Sequence, residues 1–183
     1  GVILRMKSMR LGDPLEFPFV EPPRRAAVRD GLDTLHELGA IDAREQLTDI
    51  GRRLARIPVD PRQGRILLAG LDEDCLDEAA ILAAALALPD PRDRPVERRD
   101  AADEAHRRFR HESSDFLSLL RIWDAFEDQR RAGTSGALRR WCEQHFLSWV
   151  RMREWRDLHR QLLGLVPEAG RVRRRDGGAG GGE

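Results

Sequence analysis

Residues 47–70 read LTDIGRRLARIPVDPRQGRILLAG, and the punctuation inside this stretch decides the fold. Thr48 stands directly before DIGRRLARI, where its hydroxyl can accept a hydrogen bond from an orphan amide of the first helical turn. That helix must stop before Pro58, because proline disfavours helical backbone in the residue preceding it. Pro61 then suits the first turn of a second helix, PRQGRILLAGL, where an amide hydrogen has no partner to lose. Upstream, RRAAVRDGLDTLHELG sets Val28, Leu32 and Leu35 at i, i+4 and i+7 and closes on Gly39, which predicts a helix over 24–38. Between the two, AIDAREQLT puts Ile41 and Leu47 on either side of a polar tip and reads as a small β-hairpin. Helix, hairpin and capped helix in this order predict a winged-helix domain over 1–69.

From Gly70 the pattern changes. CLDEAAILAAALALP is apolar on all sides after Glu78, which predicts a helix at the centre of a bundle with Leu82 and Leu86 among its buried residues. PDPRDRP follows as a rigid loop. ERRDAADEAHRRF then reads as a helix. The next helix is capped near Ser113 or Ser114 and carries Phe116, Leu119, Leu120 and Trp123 on one face. GTSG breaks the chain before a long helical run over 137–165. The expected class is mainly α: the winged-helix domain, then a helical bundle over 70–166. The Arg/Gly-rich tail RVRRRDGGAGGGE, over 167–183, is expected to be disordered.

Composition narrows the function classes. With 183 residues, 40% of them hydrophobic and 35% charged, the chain is globular and long enough for a real core. Cys75 and Cys142 form no close pair, which points to a reducing, cytoplasmic setting rather than a disulfide-stapled one. The longest apolar stretch, 79–89, is too short to span a bilayer, so no membrane association is expected. The basic residues are 31 Arg and one Lys, a skew assigned to codon usage. The opening GVILRM, apolar at once and without an initiator Met, reads as an element cut from a longer protein.

The formal net charge of +0 hides an uneven distribution. Residues 70–104 hold 11 acidic residues against 4 Arg, whereas 105–175 hold 16 Arg against 9 acidic residues. Such asymmetry fits a basic surface for phosphates beside an acidic surface for protein contacts. Helices that merely solvate their outer faces give the same tally.

Residues 103–106 spell D-E-A-H, a helicase ATPase motif. Its chemistry requires the Asp and Glu at the end of a buried parallel strand, holding Mg²⁺ against a nucleotide cradled by a loop ending in G-K-[ST]. Here the preceding ERRDAA is too polar for a buried strand, and the one lysine, Lys7, follows no glycine-rich loop. The tetrapeptide reads as a coincidence within a helix.

Eight stretches nevertheless occur in a telling order: GDPLEFPFVEPP, LHELGAID, LTDIGRRLARIPVDPRQGRILLAG, CLDEAAILAAALAL with PDPRDRP, ADEAHRRF, SDFLSLL and RRWCEQHFLSWVRMREWRDLHRQL. Together, over about residues 1–166, they resemble the C-terminal helicase-associated region of DEAH-box RNA helicases, most closely the bacterial HrpA type. The resemblance implies a degenerate winged helix followed by a helical ratchet domain. In that family the two pack beside the RecA-like motor domains and an OB-fold and help to form a tunnel for single-stranded RNA. ATP and Mg would then belong to the parent protein, and no cofactor to this segment, which is expected to be monomeric. Both ATPase domains and the OB-fold are missing from the sequence, so autonomous activity is not expected of it.

A ratchet contacts the strand passively, so it needs basic and capping groups rather than an acid/base pair. Arg107, Arg108, His111, Ser114, Arg139, Arg140, Arg151 and Arg153 are the candidates for RNA contact, as phosphate and base-edge donors near helix ends. For each one, a solvated side chain is the competing reading. Arg92 and Arg94, in the acidic half, are expected to take no part. Cys142 and His145, spaced C-x-x-H, offer two metal ligands where structural zinc sites use four, so packing is preferred. Trp123, Trp141, Trp149 and Trp155 read as core rather than as base-stacking platforms, and Asp103 with His106 is assigned no catalysis. Two other classes stay open. A free-standing winged-helix DNA-binding regulator would need a basic recognition helix, and 24–38 is mixed in charge. A protein-interaction helical module would use the acidic stretch.

Overall fold

A computed structural model of the chain describes residues 1–166; the tail expected to be disordered, 167–183, lies outside the described residues. Two compact units are present, one formed by 1–74 with 165–166 and the other by 75–164. Among the described residues the structure is helical throughout, with no β-strand and two isolated antiparallel bridges.

The first unit contains α1 (Val2–Met9), α2 (Arg25–Glu37), α3 (Asp49–Arg56) and α4 (Pro61–Asp72). Thr48 caps α3 as its position predicts, its Oγ1 accepting from the Gly51 amide at 3.1 Å while donating to the Gly39 carbonyl at 2.6 Å. Pro61 opens α4, preceded by Asp60, whose carboxylate accepts from the Arg62 amide at 3.0 Å. Leu4, Leu35, Ile41, Leu54, Ile57 and Leu68 form the buried core, with Leu32, Leu47 and Ile50 partly buried against it.

The expected hairpin does not form. Ile41 and Leu47 make a single antiparallel bridge around a five-residue tip. Asp42 folds that tip on itself, its Oδ1 accepting from the amides of Arg44 (2.9 Å) and Gln46 (2.8 Å), with Glu45 in the left-handed region at φ 56°. The bridge is held by the Asp42 amide on the Gln46 carbonyl at 2.9 Å and the Thr48 amide on the Ala40 carbonyl at 3.1 Å, and on either side of it the chain passes directly into α2 and α3.

The second unit contains α5 (Leu76–Leu86), a 3-10 turn (Val96–Arg98), α6 (Arg99–Arg107), α7 (Asp115–Ala132), α8 (Ser135–Gln144) and α9 (Trp149–Leu165), whose last residue belongs to the first unit. Ser114 caps α7 and Thr134 caps α8, each hydroxyl accepting an amide hydrogen at 3.3 Å. The helix expected over 137–165 is broken, because Phe146 takes φ 51° and the chain turns before Trp149.

α5 is buried by its alanines rather than by its leucines. Ala80, Ala83 and Ala84 are fully inaccessible, whereas Leu82 is half-buried and Leu86 is 54% exposed, contrary to the expectation for both leucines. Small side chains on the packed face let α7 approach closely and bring Ile122, Trp123 and Phe126 into the core; Phe116, expected on the same face, is 52% exposed at the start of α7. Trp155 closes the core from α9, its Nε1 donating to the Ile81 carbonyl at 2.8 Å. Trp123 and Trp155 are buried as expected, while Trp141 and Trp149 are only half-buried.

Two consequences for stability follow. A Cβ on Gly51 would lie 2.0 Å from the Ala40 carbonyl oxygen, so Gly51→Ala is expected to lose about 3 kcal/mol or more in urea melts, as severe overpacking does. In the second unit Ala83→Leu is expected to cost about 1–3 kcal/mol, whereas Leu86→Ala stays within about 0.5 kcal/mol. Equal losses for the two would refute the alanine-faced packing of α5.

Candidate nucleic-acid interface

The second unit carries a cleft of about 500 Å³ whose lining includes Arg92, Arg94, His106, Arg107, Phe109 and Arg110. Its rim is built by pinning the proline-rich loop 89–95 to the turn before α9. The Asp93 amide donates to the Phe146 carbonyl at 2.8 Å, the Ser148 amide to the Pro91 carbonyl at 2.8 Å, and Arg92 bridges Leu147. His106 adds a third tie, its Nε2 lying 3.0 Å from the same Phe146 carbonyl oxygen, which can only accept, so this nitrogen carries the proton.

Carboxylates pair with three of the four arginines of the cleft. Asp90 grips Arg92 through both oxygens, with a shortest contact of 2.6 Å. Burial is the largest influence on the Asp90 carboxyl and pushes its pKa up, but its bonds from Arg92 outweigh this and hold it below the usual carboxylate range. Arg94 donates to Asp103 at 2.6 Å, and that hydrogen bond lowers the Asp103 pKa in turn. The Asp of the D-E-A-H tetrapeptide, on α6, is thus engaged by an arginine of the loop 89–95. Arg107 pairs with Glu104 at 2.8 Å, whereas the Arg110 guanidinium has no ion pair among the described residues.

Of the residues singled out from sequence, the cleft takes Arg107. Arg108 instead lies against His145, its Nη1 donating to His145 Nε2 at 2.6 Å, while the other ring nitrogen, Nδ1, donates to the Trp141 carbonyl at 2.8 Å. His111 Nδ1 accepts from the Ser113 amide at 3.3 Å, and Ser114 is occupied as the α7 cap. On α8, Arg139 pairs with Glu143 at 3.1 Å, and Arg140 is exposed without an ion pair among the described residues. Arg151 is turned inward to the loop, donating to the Asp90 carbonyl at 2.9 Å and to Asp93 at 3.1 Å. Arg153 covers the Trp149 ring at 5.8 Å.

Arg92, Arg94 and Arg110 also line the cleft and are not among the candidates read from sequence. The first two sit in the acidic half by residue number, and only the long-range pairing of 91–93 with 146–148 brings them beside Arg107. Cys142 is buried, and that burial, with Glu143 beside it, pushes its thiol up to about 12. Among the described residues no group of three or more His, Cys, Asp or Glu is placed to hold a metal ion. No described helix is long and apolar enough to cross a membrane.

Comparison with known proteins places this architecture. Residues 31–59 match the family described as "Helicase associated domain (HA2), winged-helix", and residues 60–119 match "Helicase associated domain (HA2), ratchet-like". The second match begins within the first compact unit, at the start of α4, so the family division and the packing division differ. The chain is 44% identical over 175 residues, 93% of its length, to the ATP-dependent RNA helicase HrpA of Escherichia coli. It is 37% identical over 172 residues, 92% of its length, to the DExH-box ATP-dependent RNA helicase DExH1 of Arabidopsis thaliana. It spans 14% and 17% of those two relatives. The chain belongs to the helicase-associated (HA2) family of the DEAH-box RNA helicases, its winged-helix segment followed by the ratchet-like one.

Proposed function

We propose that this chain is the RNA-contacting accessory region of an ATP-dependent DEAH-box RNA helicase and forms part of a channel for single-stranded RNA. The observation that carries this reading is the gathering of Arg92, Arg94, Arg107 and Arg110 around one cleft. Three of the four are already oriented by carboxylates, so a passing phosphate meets donors in place and competes with Asp90, Asp103 and Glu104 for them. Such exchange gives weak, salt-sensitive contact, as a surface that must release each nucleotide requires. Arg108, His111, Ser114, Arg139, Arg140, Arg151 and Arg153 extend the proposed contact surface, with Arg140 the least encumbered. The relatives quoted above are named as RNA helicases, which favours this reading over a free-standing DNA-binding regulator. In the parent protein, RecA-like motor domains with ATP and Mg would supply the motion and an OB-fold another wall of the channel.

The salt dependence of binding tests the reading. The chain is expected to bind labelled oligouridylate weakly at low salt, and Arg107→Ala with Arg110→Ala to flatten the log–log salt slope by about 1.4, near 0.7 per lost phosphate contact. The arginines at 171–175 contribute equally to both proteins, so the difference is what is read. An unchanged slope contradicts the assignment. Calorimetry with Mg-ATP is expected to give no binding heat; a heat that disappears in Asp103→Ala would contradict the reading of D-E-A-H as a surface salt-bridge site.

A further inference from the structure

The first unit has a basic groove of its own. It measures about 790 Å³ and runs between the end of α1, the 42–46 tip and α3, lined by Lys7, Arg10, Arg52 and Arg56 with one carboxylate, Glu45. Two of these cations are consumed internally. Lys7 donates to the Glu45 carbonyl at 2.9 Å and to its carboxylate at 3.1 Å, and Arg52 donates to the Leu47 carbonyl at 2.7 Å and to Asp49. These bonds fix the walls. The other two, Arg10 and Arg56, are exposed, and their guanidinium groups have no hydrogen bond or ion pair among the described residues.

Arg10 is also strained. It closes α1 with φ 56° and ψ 41°, the left-handed position that helices usually give to glycine. The Leu11 amide returns to the Met6 carbonyl at 3.0 Å, a closure made by backbone atoms alone and open to glycine. Glu45, at φ 56° across the groove, has a structural reason for its side chain, because that conformation converges its carbonyl and carboxylate on Lys7. Arg10 has none within the unit. A side chain kept in a costly conformation without an internal partner, at the mouth of a net cationic groove, is placed for an external anion.

We infer that this groove is a second nucleic-acid site, in which Arg10 and Arg56 hold consecutive phosphates of a single strand while Lys7 and Arg52 keep its walls apart. The choice of ligand class rests on the function proposed above. The site itself lies on other elements than the arginine cleft and does not depend on it. The apolar lining, Met6 and Leu47, suits sugar and base faces, which a simple anion would not use.

Binding of labelled oligouridylate across a salt series separates the possibilities. Arg10→Gln with Arg56→Gln is expected to reduce the log–log slope by about 1.4, whereas Arg24→Gln with Arg25→Gln, which removes equal charge from α2 outside the groove, leaves it within error. Arg10→Gly supplies the reading that a structural role would not move: its melting temperature is expected to hold or rise as the left-handed strain is relieved, while about 0.7 of slope is lost. Slopes unchanged in both groove variants, beside a slope lost in Arg107→Ala with Arg110→Ala, would overturn this inference alone. No binding by the unaltered chain would overturn both readings, and binding of polyglutamate in place of oligouridylate would assign the groove to an acidic peptide and overturn it as well.

Discussion

The second unit depends on one carbonyl group. Phe146 takes a left-handed conformation that no glycine relieves, and its oxygen is aimed at two donors at once, the Asp93 amide at 2.8 Å and His106 Nε2 at 3.0 Å. The break between α8 and α9, the pinning of loop 89–95 and the direction of α6 all converge there. Arg98 lies over the Phe146 ring at 4.7 Å, and Arg151 reinforces the tie from α9. Release of this node would free the loop that carries Arg92 and Arg94, and the cleft would lose half of its arginines. A strained non-glycine residue is kept where the surrounding bonds over-determine it.

Much of the architecture was legible because it follows from local rules. Thr48 and Pro61 mark helix starts by rules confined to one turn, so their positions along the chain suffice, whereas sequence left the α7 cap open between Ser113 and Ser114 and the structure gives it to Ser114. Val28 and Leu35 were found by periodicity and are buried. The hairpin failed for a local reason that composition hides: Asp42 closes the tip with its side chain, leaving Ile41 and Leu47 as the only pair. α5 misled in another way. Hydropathy assigns burial to its leucines, but helix packing distance is set by the smallest residues on the contact face, and Ala80, Ala83 and Ala84 take that place.

The functional surface was less legible, since charge tallied along the chain is not charge tallied in space. The acidic stretch and the basic stretch interleave around the cleft, where Asp90, Asp103 and Glu104 face Arg92, Arg94 and Arg107. Arg151, chosen because it lies near a helix start, also ties α9 to the loop through the Asp90 carbonyl and Asp93. D-E-A-H is likewise absorbed into this fabric: Asp103 orients Arg94, Glu104 orients Arg107, and His106 fixes the turn. The tetrapeptide thus serves as part of the cleft's ion-pair framework, which fits the proposal that the parent protein keeps its motor elsewhere.

Amide NMR mapping of the chain during titration with single-stranded oligouridylate tests the central claim most directly. The account predicts that the resonances of Arg92, Arg94, Arg107 and Arg110, far apart in sequence, shift together and saturate at one concentration. Shifts that spare all four, or that move Arg107 and Arg110 while Arg92 and Arg94 stay fixed, would contradict a shared RNA-facing cleft.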